Sequence, residues 1–443
     1  MKNSGIEWIG EIPDSWKVMR LKDAIESHFG GCWGEEASED DGILCIRIAD
    51  FDFDRQTIKS SASTKRQYSI AQLEKGVLQD GDLILEKSGG GEKTSVGRVV
   101  VFEQKMFPCK AMFANFSECL RLKRNLHNEK YCAYLLKALY YTKEMSCFYH
   151  QTTGIQNLDI AEYLSMDLCF PSRKEQDVIV DCLNEKLTEV DKLIEVQRAQ
   201  IEKLKEYKQS VITEAVTKGL NPNAPMKDSG VEWIGKIPEG WKVCRIKNLP
   251  DYSVENCFID GDWIESPDIA DSGIRYLTTG NVGDGQFKYQ GNGYITQETF
   301  DKLNCKFAYP GDWVIARLNA PYGRSCILPN DKDRYVLAVD IVILRTKYNK
   351  KYFCYFTQCP EFQHTVEDYA RGTAMKRISR TNLGAVKTVL PSIEEQNEIA
   401  DYLDNKCAKI DKLIALKQSK IEKLQEYKKS LIYEYVTGKK EIV

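Results

Sequence analysis

No run in this 443-residue chain approaches the roughly 18 apolar residues that a membrane-spanning helix needs. The opening stretch MKNSGIEWIGEIPDSW has no apolar segment of the kind a secretory signal carries, so a cytoplasmic protein is expected. The 15 cysteines are odd in number and include no C-x-x-C pair, which suits free thiols in a reducing compartment. The histidines His28, His127, His150 and His364 stand singly, without zinc-ligand spacing, so no metal is expected. Bulk positive charge is missing as well: 62 Lys+Arg against 65 Asp+Glu leave a formal net charge of −3. Any nucleic-acid site must then be a local patch, or must share phosphate neutralisation with a partner.

Catalytic signatures are also absent. There is no Asp/Asn-Pro-Pro-aromatic run; the nearest text is Asn221-Pro222-Asn223-Ala224-Pro225. Ser88-Gly89-Gly90-Gly91-Glu92-Lys93-Thr94 resembles a phosphate-binding loop but lacks the Gly directly before Lys. We read it as a hairpin loop, and no catalytic residue is assigned.

What the chain does have is a long gap-free repeat. Residues 171–217 and 391–437 align without insertion, and 24 of the 47 positions are identical. Leu183, Leu187, Val190, Ile194, Ile201 and Leu204 follow steps of four and three, the a/d seam of a coiled coil. Leu403, Ile410, Ile414, Ile421 and Leu424 give the same seam in the second copy. Polar residues break both seams at matched places, Gln197 and Lys208 against Lys417 and Lys428. Neither copy contains internal Gly or Pro, and Gly219 and Gly438 follow the last apolar residues as helix stops. So narrow an apolar stripe on a helix about 66 Å long, at about 1.5 Å per residue, needs a partner helix. The other copy is the natural one.

The repeat extends beyond the helices. SGIEWIGEIPDSWKVMRLK from Ser4 and SGVEWIGKIPEGWKVCRIK from Ser229 share 13 of 19 positions, so the whole chain is a tandem duplication. Apolar runs and turn pairs between these openings and the helices predict a twisted, mostly antiparallel sheet, with helices over Tyr131–Met145 and Tyr352–Asp368. The expected class is α+β: two tandem-duplicated globular domains separated by two long helices that form an antiparallel coiled coil, with pseudo-two-fold symmetry. The expected boundaries are 1–170, the helix 171–218, a polar Pro-rich linker 219–228, 229–390 and the helix 391–443.

The doubled openings, the doubled P-S-x-x-E-Q helix starts at Pro171 and Pro391 and the heptads behind them resemble a specificity subunit of a type I restriction–modification enzyme, over essentially the full length. The resemblance implies that each globular part is a target-recognition domain reading one half of a bipartite, asymmetric double-stranded DNA site. It implies that the coiled coil spaces the halves, and that two modification (methyltransferase) subunits and the restriction (translocase/nuclease) subunits assemble around it. It further implies no catalysis and no cofactor in this chain; S-adenosylmethionine, ATP and Mg would belong to partners. Two other classes stay open, a coiled-coil scaffold without DNA readout and a self-contained DNA-modifying enzyme.

Candidate DNA contacts follow from residue chemistry, since Arg and Lys pair with guanine, Asn and Gln with adenine, and hydroxyls or backbone amides hold phosphate. In the second domain the acid-free stretch 370–387 supplies Arg371, Thr373, Lys376, Arg377 and Arg380. The preceding hairpin adds Arg317, Asn319, Tyr322 and Arg324. In the first domain the matching stretch has no base, so Lys87, Ser88, Gly90, Lys93, Arg98, Gln151, Thr152, Gln156 and Asn157 are the candidates.

Overall fold

The computed structural model describes all residues except 38–41, 91–93, 153, 292, 373–375 and 442–443. The two long helices span Arg173–Lys218 and Ile393–Val436. The residues after them, Gly219 and Gly438, adopt positive φ (76° and 69°), the left-handed stop that glycine reaches without a Cβ clash. The chain divides into two compact units, Met1–Gln197 with Ser419–Val443, and Arg198–Gln418. Each contains one globular part and a segment of each long helix.

In the first unit, strand Leu83–Glu86 lies between Val99–Val101 and Ser117–Leu122, and Ile25–Gly30 forms the far edge of this antiparallel sheet. Leu83, Ile84, Leu85, Val99 and Val100 are all fully buried, an uninterrupted apolar run that marks strands covered on both faces. Helix Glu129–Tyr140 covers Val99–Val101, and its N-terminal amides are capped by the Asn128 side chain. A second small sheet contains the parallel pair Ile43–Ile46 and Ala111–Phe113.

The second unit repeats this plan. Trp313–Ala316 lies between Ser325–Ile327 and Ile341–Leu344, with Phe258–Asp260 outside. Ile274–Leu277 and Tyr335–Leu337 form the parallel pair. Its core is continuous from Trp313 and Phe353 to Val211, Val216, Ile399 and Leu403 on the helices. The globular part and its helix segments thus share one apolar interior.

The α+β class holds, with corrections in detail. Each globular part has several small sheets with one parallel pair, rather than one antiparallel sheet. The helix expected over Tyr352–Asp368 is two helices, Lys350–Phe356 and Pro360–Asp368. Pro360 has no N–H to continue the ladder and holds Cys359 in extended backbone (ψ 126°). The first-domain helix stops at Tyr140, and a 3-10 turn follows over Lys143–Phe148. The expected linker is ordered at its end, where Met226–Asp228 pairs with Lys236–Pro238.

The duplicated motifs prove to be two halves of one joint. Trp16 Nε1 donates to Glu175 (2.9 Å), and Trp241 Nε1 donates to Glu395 (3.1 Å). The adjacent Gln176 and Gln396 are fully buried. Gln176 accepts from the Asn128 amide (2.8 Å) and donates to the Pro171 carbonyl (3.0 Å); Gln396 does the same with Asn349 and Pro391 (both 3.0 Å). Buried tyrosines close the other end: Tyr131 OH reaches the Val436 carbonyl (3.1 Å) and Tyr352 OH the Val216 carbonyl (2.8 Å). Carbonyls at a helix C-terminus lack intrahelical partners, so each hydroxyl satisfies one. The E-W…W opening and the P-S-x-x-E-Q start recur together because they bond to each other.

The long helices pair antiparallel within each unit. In the first, Cys182 meets Tyr435 (3.4 Å) and Asp191 meets Lys428 (2.5 Å); in the second, Gln200 meets Lys417 (2.5 Å) and Lys208 meets Asp411 (2.7 Å). Numbers rise along one helix as they fall along the other. Leu183, Leu187, Val190, Ile194, Ile201, Leu403, Ile410 and Ile421 are buried, whereas Leu204, Ile414 and Leu424 are half-buried. The polar breaks at Lys208 and Lys428 are the cationic ends of repeat-equivalent ion pairs. Such a pair fixes register, because a one-turn slip would leave a lysine facing the apolar seam.

One buried group makes the first unit acid-sensitive. His127 is 4% exposed, edge-on to Phe170, and neither ring nitrogen meets a protein hydrogen-bond partner. Burial, reinforced by Lys123 and Arg173, lowers its pKa below the ordinary 6.5. An unfolded chain then takes up a proton that the folded chain does not, so this contribution is fully present above pH 6.5 and is lost as pH falls toward the folded pKa. We expect urea stability to decline through this window and the decline to shrink in His127→Leu; an unchanged pH slope in that variant would refute the assignment.

Candidate nucleic-acid interface

In the first unit, Ser88–Gly89, Tyr149–Thr152 and Ile155–Leu158 form a three-stranded antiparallel sheet, so residues far apart in sequence converge. Burial alternates along Ile155–Leu158, with Ile155 and Asn157 exposed and Gln156 and Leu158 buried. Strand pairing sets Ser88 and His150 on either side of Asn157, and Ser88 Oγ lies 2.6 Å from Asn157 Oδ1. Gln156 is on the other face, where its Oε1 accepts from the Val96 amide (3.2 Å). At Gly90, with φ 64°, a Cβ would come within 2.8 Å of Gln156 Oε1 and 2.9 Å of the Thr94 carbonyl. Gln156 therefore supports the backbone at Gly90 and Val96 from the buried side. Gln151 is exposed and pairs with Gln156 across the strands.

Among the described residues, two of the three first-domain candidate cations, Arg98 and Lys87, are already engaged. Arg98 makes a bidentate pair with the buried Glu86 (2.7 and 2.8 Å), and this pairing raises its pKa. Lys87 pairs with the buried Glu118 (2.9 Å), which also meets His28 Nδ1 (2.9 Å). Lys93, and the side chain of Thr152, lie outside the described residues, as does Thr373 in the second domain.

The second unit carries the same frame. The Ile378 amide donates to the Arg317 carbonyl (3.1 Å), as the Leu158 amide donates to that of Lys87 (2.8 Å). Bridges join Leu318 to Arg377 and Arg377 to Arg371. Arg371, Lys376 and Arg377 are exposed. Arg377 is held by Asp340, with Nε 2.6 Å from Oδ1 and Nη2 2.9 Å from Oδ2. Arg371 Nη1 donates to the carbonyls of Asp368 and Ala370 (both 3.0 Å). Lys376 lies 3.8 Å from Glu367. Arg380 donates to the Phe258 carbonyl (2.7 Å) and sits 3.5 Å from Asp260.

The preceding hairpin requires a correction. Arg317, Tyr322 and Arg324 were candidates for an open face, but they are 5%, 7% and 8% exposed. Arg317 donates to the carbonyls of Ile378 (2.9 Å) and Val339 (2.5 Å) and lies 3.1 Å from Asp260. Arg324 holds the carbonyls of Val282 (2.8 Å), Thr279 (2.9 Å) and Asn319 (2.7 Å). Burial lowers the pKa of both guanidinium groups, and the carbonyls compensate for lost water. These arginines brace the loop from beneath, leaving Asn319, exposed with φ 63°, at its tip. Sequence reasoning passed over His150 and Asp340; the first is found through cross-strand register and the second through packing, both of which need the fold.

Among the described residues there is no metal-competent cluster of three or more His, Cys, Asp or Glu, and no helix long and apolar enough to cross a membrane. The type I restriction modification DNA specificity domain model matches the chain twice, over residues 13–206 and 238–426. The chain is 25% identical over 438 residues to the type I restriction enzyme MjaVIII specificity subunit of Methanocaldococcus jannaschii, covering 97% of this chain and 93% of that protein. It is likewise 25% identical over 441 residues to the putative MjaX specificity subunit of that organism, covering 97% and 95%. A chain from a study of complex assembly and conformational transition of the type I R-M system superposes with TM-score 0.68 at 15% identity, covering 96% of this chain and 98% of that one. The HsdS subunit from Thermoanaerobacter tengcongensis gives 0.52 at 16% identity, covering 97% and 98%. The two structures speak to the fold; the doubled family match, one for each copy of the repeat, identifies this chain as a member of the type I restriction–modification DNA specificity family.

Proposed function

We propose that each globular part reads one half of a bipartite DNA site, that the paired helices set the spacing between the halves, and that methyltransferase and restriction subunits assemble on this scaffold and supply S-adenosylmethionine, ATP and Mg chemistry. The observation that carries this reading is a contrast within one frame. The joint of Trp, Glu, Gln and Tyr is the same in both units, whereas the exposed hairpin faces differ, neutral at Ser88, Asn157 and His150 and basic at Arg371, Lys376 and Arg377. Identical supports with different faces suit two reading heads for different half-sites. Near-neutral overall charge suits a reader whose partners share the phosphate contacts.

Replacing Arg371, Lys376 and Arg377 by Gln tests the interface. Removing these three cations should weaken binding to the target and lower the slope of log affinity against log salt by about 1 for each one that neutralises a phosphate. Salt-matched titrations showing unchanged affinity and slope would remove this patch from the interface.

A further inference from the structure

The strand pairings define one cross-strand row of three side chains in each unit, and the two rows occupy the same place in the frame. In the first unit the row is Ser88, Asn157 and His150. In the second it is Leu318, Arg377 and Arg371. Their equivalence needs no alignment across variable loops. The Lys87 amide donates to the Phe116 carbonyl (2.9 Å) and the Arg317 amide to the Asp340 carbonyl (2.8 Å), each one residue before the row. Residues paired across antiparallel strands point to the same side of a sheet. Asn157, His150, Arg371 and Arg377 are all exposed.

We infer that these rows are the base-reading rows of the two domains, and that Arg377 with Arg371 selects guanine in one half-site, whereas the neutral row makes the other half-site independent of guanine. The inference deepens the half-site reading above and rests on it. The chemistry lies in the free edges. Asp340 lies along one side of the Arg377 guanidinium, its Oδ2 accepting a hydrogen bond from Nη2 and its Oδ1 2.6 Å from Nε. The edge formed by Nη1 and the remaining Nη2 hydrogen is left for two acceptors side by side, the pattern that guanine O6 and N7 present in the major groove. The Asp340 grip also restricts the guanidinium plane, so less rotamer freedom is lost on contact. Arg371 spends Nη1 on two carbonyls and keeps Nε and Nη2.

In the first unit the position of Asp340 is taken by Phe116, which is 53% exposed. A phenyl ring has no carboxylate to pair with a guanidinium edge, which agrees with a row that carries no arginine. It can contact a thymine methyl group, while the Asn157 amide offers the donor and acceptor that match adenine N7 and N6. His150, exposed beside Asn157, completes the row.

Methylome sequencing of the source strain tests this in the assembled enzyme, comparing the intact gene, its deletion, Arg377→Gln, Arg371→Gln and Asn157→Ala. Deletion should erase one bipartite methylated motif; if every such motif survives deletion, the half-site reading itself fails. Given that loss, Arg377→Gln should lower methylation at cognate sites by about 10- to 100-fold and relax a guanine in one half only. Asn157→Ala should relax the opposite half only. A motif erased by deletion but unchanged by both arginine variants overturns the row, as does a change in both halves from either one. If Arg377→Gln abolishes methylation, melting of the purified full chain decides. An unchanged midpoint supports the row, and a lowered one hands the decision to Arg371→Gln, whose side chain holds no carboxylate.

Discussion

Deleting residues 196–202 together with their repeat equivalents 416–422 should change the spacing between the two recognised half-sites, or abolish site-specific methylation. Each deletion removes seven helical residues, about 10 Å at about 1.5 Å per residue, the length of roughly three base pairs at about 3.4 Å each. Both helices must be cut, because the register-setting pairs Asp191–Lys428 and Lys208–Asp411 tie one to the other. A whole heptad keeps the apolar seam facing its partner, so the variant retains the helix pair and alters its length. Sequencing of methylated motifs gives the spacing directly. The spacer role fails if the original spacing is still modified at full efficiency.

Breaking the joint should cost the most stability. Trp16 is 2% exposed and Trp241 1% exposed. Replacing either by Ala should destabilise its unit by about 3–5 kcal/mol, the usual range for emptying a large aromatic site, and also frees Glu175 or Glu395. Gln176→Leu leaves the Asn128 amide and the Pro171 carbonyl without a partner, and Gln396→Leu does the same to Asn349 and Pro391. Two buried groups unsatisfied at about 1–3 kcal/mol each predict a loss of about 2–6 kcal/mol. Urea denaturation measures it, and a change below about 1 kcal/mol in the Gln variants would mean that the amides find other partners. The contrast with Asn157→Ala, on an exposed row, should be large, since that position contributes little to folding.

The helices were legible in the sequence because their signal is local. Heptad steps, uninterrupted helix formers and glycine stops lie within each segment, so both helix starts and the end of the first helix fall within two residues of expectation, whereas the second helix stops at Val436, seven residues short of the expected 443. The split at Pro360 was equally local and was passed over in favour of a longer periodic stretch. The strands Leu83–Glu86 and Trp313–Ala316 were recognisable as apolar runs, but their sheet partners were not, since pairing joins residues tens of positions apart.

The candidate site divides along the same line. Sequence located a basic, acid-free stretch at 370–387 and a hairpin at 317–324. It could not say that Arg317 and Arg324 point inward while Arg371 and Arg377 point out. A guanidinium is the same in either place; which carbonyls lie within reach is decided by the fold, as Ile378, Val339 and Val282 decide it here.

The sequence by itself determined the duplication, the two helices, their mutual partnership and the family, because repeats and periodicity are properties of residue order. Tertiary structure decided what the repeated letters are for. It bonded each opening tryptophan to a helix-start glutamate, turned the polar breaks into register-fixing ion pairs, and sorted the arginines into braces and an exposed row. Each of those outcomes depends on which groups are brought within about 3 Å of one another and shielded from water, and residue order alone does not set that distance.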